Sequence, residues 1–520
     1  MLDVRLDLHG CLSWELQHVP VFVFSEMGSK WNSWYLRGSL SLLGVFSLTA
    51  LILSLVRIHS ITQSSKDKYG LVFDAGSSHT SLFLYQWPEE KENNTGMVSQ
   101  KFSCNVKGPG ISSYANNPPK AGTSLRDCLN AAMSVIPPER QQESPVYLGA
   151  TAGMRLLKMQ NESAATQILE AVSQTIQKYP VSFQGARIIS GKEEGAFGWI
   201  TINYLLNSFT QYSAKERDWI RPPSANILGA LDLGGASTQI SFIPAGLIAD
   251  PSEAVEFRLY GFNYTIYSHS YLCYGQNQAF QRVIRLILNG GTSDEVAHPC
   301  YPKGYQEMVQ TASFSGNPCA KPLPSTASSA NVTLVGKGNF SLCREKFKAI
   351  FNFSGCRDPS SCGFEGIYQP RVNGKFLAFS AYYYTFRFLN LTATSPLATV
   401  ERVIQIFCAR TWEDLSTSYP HEKTFHLKNY CASANFILTL LLDGYGFRND
   451  TWQNIAFQMQ AANSDIGWTL GYMLNLTNKI PAEVPPMLKG HEEAFWIASV
   501  FFIVATLALC LLILVLHALL

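Results

Sequence analysis

Two short stretches carry the residues best suited to chemistry: Leu71-Val-Phe-Asp-Ala-Gly-Ser-Ser-His-Thr-Ser-Leu-Phe-Leu and Gly229-Ala-Leu-Asp-Leu-Gly-Gly-Ala-Ser-Thr-Gln-Ile-Ser-Phe. Each reads as an apolar strand, a turn of the form Asp-x-Gly and a second, alternating strand. In such a turn glycine lets backbone N–H groups approach an anion, hydroxyls add donors, and the aspartate holds a hydrated divalent cation over the phosphate charge. A single copy is most often a hairpin. Duplication of the whole unit, with Asp74 and Asp232 in equivalent places, points instead to a phosphate clamped between two related lobes.

Three further segments fit the same chemistry. Gly149-Ala-Thr-Ala-Gly-Met-Arg and Glu193-Glu-Gly-Ala-Phe-Gly-Trp lie between the two loops, and Ser464-Asp-Ile-Gly-Trp-Thr-Leu-Gly-Tyr-Met-Leu-Asn lies near the C-terminus. In this order the five segments resemble the phosphate-binding and catalytic motifs of the apyrase family, specifically the cell-surface ecto-nucleoside triphosphate diphosphohydrolases. The resemblance covers the chain from about residue 69 to about residue 481.

Phosphoanhydride hydrolysis needs an in-line water, a group that orients or deprotonates it, and positive charge on the transferred phosphoryl group. The resemblance makes Glu194 the catalytic base. From the residues alone a glutamate in a helix first turn serves the macrodipole, and Glu193 competes for the role. Asp74 and Asp232 are expected to hold Ca²⁺ or Mg²⁺ through coordinated water. Ser77, Ser78, His79, Thr151, Gly234, Gly235, Ala236 and Ser237 are the expected phosphate donors, with His79 neutral. By resemblance Ser237 and Gln239 orient the water or the metal shell. Arg155 reads as a phosphate contact or, more commonly for such a position, a structural ion pair. Base recognition is expected by stacking, which tolerates several bases; among Tyr382, Tyr383 and Tyr384 the resemblance selects Tyr384. Where some family members carry an arginine before the last cysteine, this chain reads Phe425-His-Leu-Lys.

The elements that must position these groups follow from composition and pattern. The 520 residues suffice for two or three domains, and a formal net charge of +2 gives no polyanion-binding signal, so nucleic acid is not an expected partner. Residues 38–56 and 494–516 carry no charge, and each is long enough as a helix to cross a hydrocarbon core of roughly 30 Å. Both are read as transmembrane helices. Ten of the twelve cysteines and nine Asn-x-Ser/Thr sequons, at Asn93, Asn161, Asn263, Asn331, Asn339, Asn352, Asn390, Asn449 and Asn475, fall between them. That interval is therefore expected outside the cytosol, with both termini cytoplasmic and the protein at the plasma membrane. The resemblance implies the pairs Cys104–Cys128, Cys273–Cys319, Cys300–Cys343, Cys356–Cys362 and Cys408–Cys431, leaving Cys11 and Cys510 apart. Met27 stands where the family would lead one to expect a translation start.

Alternating strand and helix patterns argue for α/β. A helix is expected from Ala196 to Phe209, and residues 376–391 and 434–442 read as buried helices. The order resembles the two-lobed actin, hexokinase and heat-shock ATPase fold with nucleotide in the cleft. The expected organisation is a segment 1–37, a span 38–56, lobe one from 60–190 plus 460–488, lobe two from 191–459, a span 494–516 and a short end 517–520. The implied activity is cation-dependent hydrolysis of nucleoside tri- and diphosphates to monophosphate. The alternatives are a lumenal UDP/GDP diphosphatase, a kinase of the same architecture and a non-catalytic nucleotide-binding ectodomain; homo-oligomerisation is left open.

Overall fold

The computed structural model describes residues 33–55, 67–89, 91–209, 211–213, 218–220, 227–289, 293–314, 316–320, 331–355, 361–391, 395–462, 464–480 and 493–519. Residues 65–483 form one compact unit. The strands of its two largest sheets are β1 (Asp67–Ala75), β2 (Thr80–Pro88), β3 (Ser99–Asn105), β4 (Pro145–Ala150), β5 (Ser182–Ile188), β6 (Gly229–Leu233), β7 (Ser237–Phe242), β8 (Ala254–Leu259), β9 (Phe262–Leu272), β10 (Phe376–Ser380) and β11 (Ile455–Phe457). The helices used below are α1 (Ser33–Leu55), α2 (Ala152–Gln160), α3 (Gly191–Leu205), α4 (Gln276–Leu288), α5 (Ala381–Phe388), α6 (Trp468–Thr477) and α7 (Glu493–Leu519).

Two sheets carry the duplication. The first runs β3-β2-β1-β4-β5 and the second β8-β9-β7-β6-β10-β11. In both, a central strand pairs antiparallel with its hairpin partner and parallel with the strand on its other side, so β1, β2 and β4 correspond to β6, β7 and β10. Asp74 pairs in register with Ser81, and Asp232 with Gln239. Equivalent strands thus end in equivalent corners, as the sequence duplication predicts. The central strands are apolar along their length because both faces are covered: Leu71, Val72 and Phe73 are buried in the first sheet, Leu231, Leu377 and Phe379 in the second.

Helices α3 and α6 cross between the sheets. Gly471 on α6 permits the close approach, since a Cβ there would stand 2.0 Å from the Phe197 carbonyl oxygen. The buried Thr201 hydroxyl donates to the Gly467 carbonyl (2.6 Å) and accepts from the Gly471 N–H (2.8 Å), which ties the two helices at their crossing. Met473 of α6 lies against Gly70 of β1, and Tyr85 on β2 bonds Thr469 at 2.8 Å. The segment around 468–477 therefore returns to the first sheet, whereas Gly195 of α3 lies against Gln239, Ser241 and Ser268 of the second.

Two expectations are corrected. Helix α3 begins at Gly191, because Ser190 and Glu193 form a reciprocal capping box that starts the helix ahead of the apolar run. The stretch 376–391 is a strand followed by a helix: Phe376–Ser380 inserts between β6 and β11 as β10. A continuous apolar run does not distinguish a buried strand from a buried helix. The expected buried helix at 434–442 is present, as the helix Tyr430–Leu438 continuing into a wider π turn.

Cys104–Cys128, Cys273–Cys319, Cys300–Cys343 and Cys408–Cys431 are bonded as expected. Cys362 is also disulfide-bonded, while Cys356 and Cys11 lie outside the described residues, as do residues 1–32 with Met27. Cys510 is a free thiol. Eight sequon asparagines are exposed and Asn475 is half-buried.

Helices α1 and α7 belong to a second compact unit. They pack on each other through Phe46 and Phe502, whose ring centroids are 5.6 Å apart. Among the described residues, no helix is long and apolar enough to cross a membrane; both spans expected from the sequence include residues whose side chains lie outside that description.

Candidate active site

The first corner follows β1. Ser77 and Ser78 face the second corner so closely that a Cβ on Gly235 would meet their hydroxyls at 2.8 and 2.7 Å. Asn277, in the first turn of α4, donates to Ser78 Oγ at 3.2 Å. The second corner is braced from behind by that helix start, whose Gln276 and Asn277 N–H groups donate to the carbonyls of Gly234 and Gly235 (both 2.9 Å). Gly235 is thereby brought against Ser77 and Ser78, while Ala236 and Ser237 lie against Gly275 at the start of that helix. His79 is exposed at the rim, yet surrounding protein lowers its pKa, which favours the neutral ring. Thr151 is buried at the N-cap of α2, its own side chain making no capping bond, and its N–H donates to Ala75 of the first corner (3.1 Å).

Glu194 occupies the floor. Its Oε2 accepts from Arg155 Nη2 at 2.7 Å and from Gln239 Nε2 at 3.3 Å. Arg155 Nη2 also reaches Ser237 Oγ (3.1 Å), and its Nη1 donates to the Ile189 carbonyl (3.2 Å). Gln239 Nε2 lies 2.7 Å from Ser237 Oγ and 2.9 Å from Ser270 Oγ. An amide carries two N–H bonds, so three acceptors compete for them, and Glu194 is the most distant. Arg155 is thus in an ion pair, and its partner is the candidate base.

Glu193 is elsewhere. Its carboxylate accepts from Arg187 (2.9 and 3.1 Å) and caps the Ser190 N–H (2.9 Å). Arg187 and Ser190 hold its pKa below the usual carboxylate range against the opposing effect of burial. Geometry therefore separates the two glutamates: one fixes the helix start, the other faces the corners.

Three carboxylates repel one another here. Burial, then Glu194, then Asp232 push Asp74 up to about 7, against a lowering contact from the Trp468 indole. Burial and Glu194 likewise push Asp232 up to about 7, opposed by the Ser380 hydroxyl and the Leu233 N–H. Burial raises Glu194, and the Arg155 guanidinium pulls it back. Both aspartates keep some solvent access, and Asp74 Oδ1 has no hydrogen-bond partner although that atom is buried. Among the described residues no three His, Cys, Asp or Glu side chains converge as direct metal ligands. An all-oxygen donor set with an orphaned carboxylate oxygen fits a hard divalent cation that keeps part of its water shell.

Two contributors were not singled out from sequence. Ser270 reaches Gln239 only through the pairing of β9 with β7. Ser380, beside Asp232, has φ 57°, a backbone conformation that non-glycine residues adopt at a cost and that clusters at functional corners. Of the three tyrosines, Tyr382 is buried 3.4 Å from Thr238 Oγ1, and Tyr383 accepts from Arg387 Nη1 (3.2 Å). Tyr384 is 55% exposed, its ring edge-on to Tyr383 at 5.6 Å, and so offers a free face. Lys428 is held by both carboxylate oxygens of Glu307 (2.6 Å each), with its ammonium over the Tyr301 ring at 5.4 Å.

A family model for the GDA1/CD39 (nucleoside phosphatase) family matches residues 60–490. The chain belongs to that family. Among related GDA1/CD39 proteins, mouse ectonucleoside triphosphate diphosphohydrolase 8 is 50% identical over 481 residues, covering 91% of this chain and 96% of the relative. Mouse ectonucleoside triphosphate diphosphohydrolase 2 is 46% identical over 462 residues, covering 88% and 92%. A solved nucleoside triphosphate hydrolase from Neospora caninum superposes with a TM-score of 0.58 at 14% identity, over 86% of this GDA1/CD39 chain and 97% of that one, a likeness of fold alone.

Proposed function

We propose that this chain is a membrane-anchored ectoenzyme that hydrolyses nucleoside tri- and diphosphates to nucleoside monophosphate and phosphate. The observation that carries the reading is the Glu194 carboxylate held by Arg155 and Gln239 between the two aspartate corners. The terminal phosphoryl group would lie between the corners, against Ser77, Ser78 and the Gly234–Ser237 turn. Ser237 and Gln239 orient a water, Glu194 takes its proton as the new oxygen–phosphorus bond forms, and the bridging phosphoanhydride bond breaks. Arg155 opposes the raising effect of burial on Glu194 and so favours the ionised form that role needs. A bound Ca²⁺ or Mg²⁺, held by Asp74 and Asp232 through water, supplies neutralising charge to the phosphates. Tyr384 stacks on the base. Lys428, engaged by Glu307, leaves the opposite face of the base to another group.

The proposed organisation is a lobe one of residues 60–190 plus 460–488 and a lobe two of residues 191–459. The membrane setting is supported by the outward-facing apolar residues of the two helices, including Leu42, Val45 and Leu48 on α1 and Phe501, Val504 and Leu507 on α7, all exposed. Exposed sequons and disulfides support a plasma-membrane protein with the compact unit outside and both termini cytoplasmic.

The test is phosphate release from ATP, ADP and UDP by the purified, glycosylated full chain with Ca²⁺ or Mg²⁺. Turnover of both tri- and diphosphates is expected. Turnover confined to UDP and GDP would favour the lumenal diphosphatase, and none at all the non-catalytic ectodomain.

A further inference from the structure

Behind the second corner lies a buried cluster of hydroxyls that differs from its counterpart in the first. Thr238, near the start of β7, is fully buried, and its Oγ1 donates to the Asp232 carbonyl at 2.7 Å. The Tyr445 and Tyr382 hydroxyls, also buried, stand 3.0 and 3.4 Å from that Oγ1. A hydroxyl carries one proton and two lone pairs. Thr238 commits its proton to a carbonyl, which can only accept, so its lone pairs are left for the tyrosines and both donate to it. The chain of bonds therefore runs one way, from the tyrosines through Thr238 to the backbone of Asp232, and successive bonds of this kind polarise and strengthen one another. In the first corner Thr80 pairs with Ala75 as Thr238 pairs with Leu233, so the two threonines are equivalent. The Thr80 hydroxyl is buried without a hydrogen-bond partner.

Tyr445, the closer donor, is set in place by an unusual piece of backbone. It follows directly on the π turn Thr439–Gly444. Its N–H donates to the Leu440 carbonyl five residues back (2.8 Å), and its own carbonyl accepts from Gln369 Nε2 (2.9 Å). Turns of this width are rare and recur at functional sites. Each helical residue rotates the chain by about 100°, so the extra residue in the turn decides which way Tyr445 faces. Packing alone does not call for the hydroxyl, because phenylalanine would fill the same space without burying a polar group. We infer that Tyr445 is a positioning residue for the cation site: through Thr238 it fixes the Asp232 carbonyl, and with it the end of β6 that carries the Asp232 carboxylate. The inference rests on the cation reading proposed above and extends it to a residue outside both corners.

Calorimetric titration of Ca²⁺ into the purified full chain tests it, with cation-free thermal melts alongside. Tyr445→Phe should weaken Ca²⁺ binding about fivefold, the scale of one buried hydrogen bond. Thr238→Val should weaken it at least as much, and Thr238→Ser should keep it. Tyr445→Phe combined with Thr238→Val should bind no worse than Thr238→Val alone, since groups acting as one unit are not additive. Two controls remove hydroxyls outside the chain of bonds. Tyr260 is also buried, and its hydroxyl donates to the Gly96 carbonyl at 3.0 Å. Tyr260→Phe should lower the melting temperature as Tyr445→Phe does but leave Ca²⁺ affinity unchanged, and Thr80→Val should leave it unchanged because that hydroxyl has no bond to lose. Normal Ca²⁺ affinity in Tyr445→Phe, or an equal loss in Tyr260→Phe or Thr80→Val, would overturn the inference. Asp232→Ala separates it from the reading beneath it. If that variant loses Ca²⁺ binding while Tyr445→Phe keeps it, the corner holds the cation and Tyr445 is structural only; if Asp232→Ala binds Ca²⁺ normally, the cation reading falls and takes this inference with it.

Discussion

The two corner loops occupy equivalent places in equivalent sheets, but the residue paired with the aspartate differs. Opposite Asp74 stands Ser81, whose hydroxyl donates to Asn105 Oδ1 at 2.8 Å and so serves its own sheet. Opposite Asp232 stands Gln239, whose amide reaches Ser237, Ser270 and Glu194. Duplication thus supplies the acids symmetrically, and on the mechanism proposed above the water-orienting groups come from one side only. A hydrated cation shared between lobes calls for matched carboxylates, whereas an in-line attack has one direction and needs its orienting group on one side. On the same proposal the first lobe contributes differently, through Arg155 on α2, whose guanidinium is bonded to Glu194 at 2.7 Å.

The comparison breaks first at the base. Glu194→Gln should lower kcat by about 10²–10⁴ while folding is retained, because an amide accepts no proton. Glu193→Gln should leave kcat near normal and cost some stability through the cap and Arg187. Steady-state kinetics with thermal melts separate the two, and the reverse pattern would sink the assignment.

The next effect in size is the asymmetry itself. Gln239→Ala should cost about 10²-fold in kcat, the scale of a misplaced reactant, with a smaller change in KM. Ser81→Ala should lose about 1 kcal/mol of stability, one hydrogen bond's worth, and little activity. Equal kinetic losses at the two positions would show that the corners are functionally as well as structurally equivalent.

Much of this arrangement is legible in the sequence because its causes are local. An apolar strand, Asp-x-Gly and an alternating strand specify a hairpin corner wherever they occur, and two copies give two lobes. The start of α3 was also readable, since Ser190-Gly-Lys-Glu has the spacing of a capping box, although apolar periodicity alone places the helix start about five residues late. What escapes is set by pairing across the chain. Ser270 meets Gln239 because β9 lies beside β7, and Trp468 meets Asp74 because α6 returns to the first sheet; neither residue type signals that contact. The β10 strand was hidden by its continuous apolar run, and with it the φ 57° corner at Ser380.

A smaller effect sharpens the shared-site reading. In the cation-free protein Asp74 and Asp232 are raised from 3.8 to about 7. The folded chain then binds more protons than the unfolded chain between those values. This contribution to stability is fully present below the unfolded pKa and is lost as pH rises through about 7. The melting temperature without cation should fall between pH 5 and 8, while the stabilisation given by saturating Ca²⁺ should grow over the same interval. A Ca²⁺ stabilisation independent of pH would contradict the placement of the cation between these carboxylates.

The central claim is that one cation is held by both lobes, and calorimetric titration of Ca²⁺ into the purified chain and its Asp74→Ala, Asp232→Ala and double variants tests it most directly. If the corners form one site, the wild-type chain binds a single Ca²⁺ there, each single variant loses most of that affinity, and the double variant is scarcely weaker than either, since groups acting as a unit are not additive. Normal Ca²⁺ affinity in either single variant, or losses that simply add in the double, would mean that the duplicated corners do not share a cation.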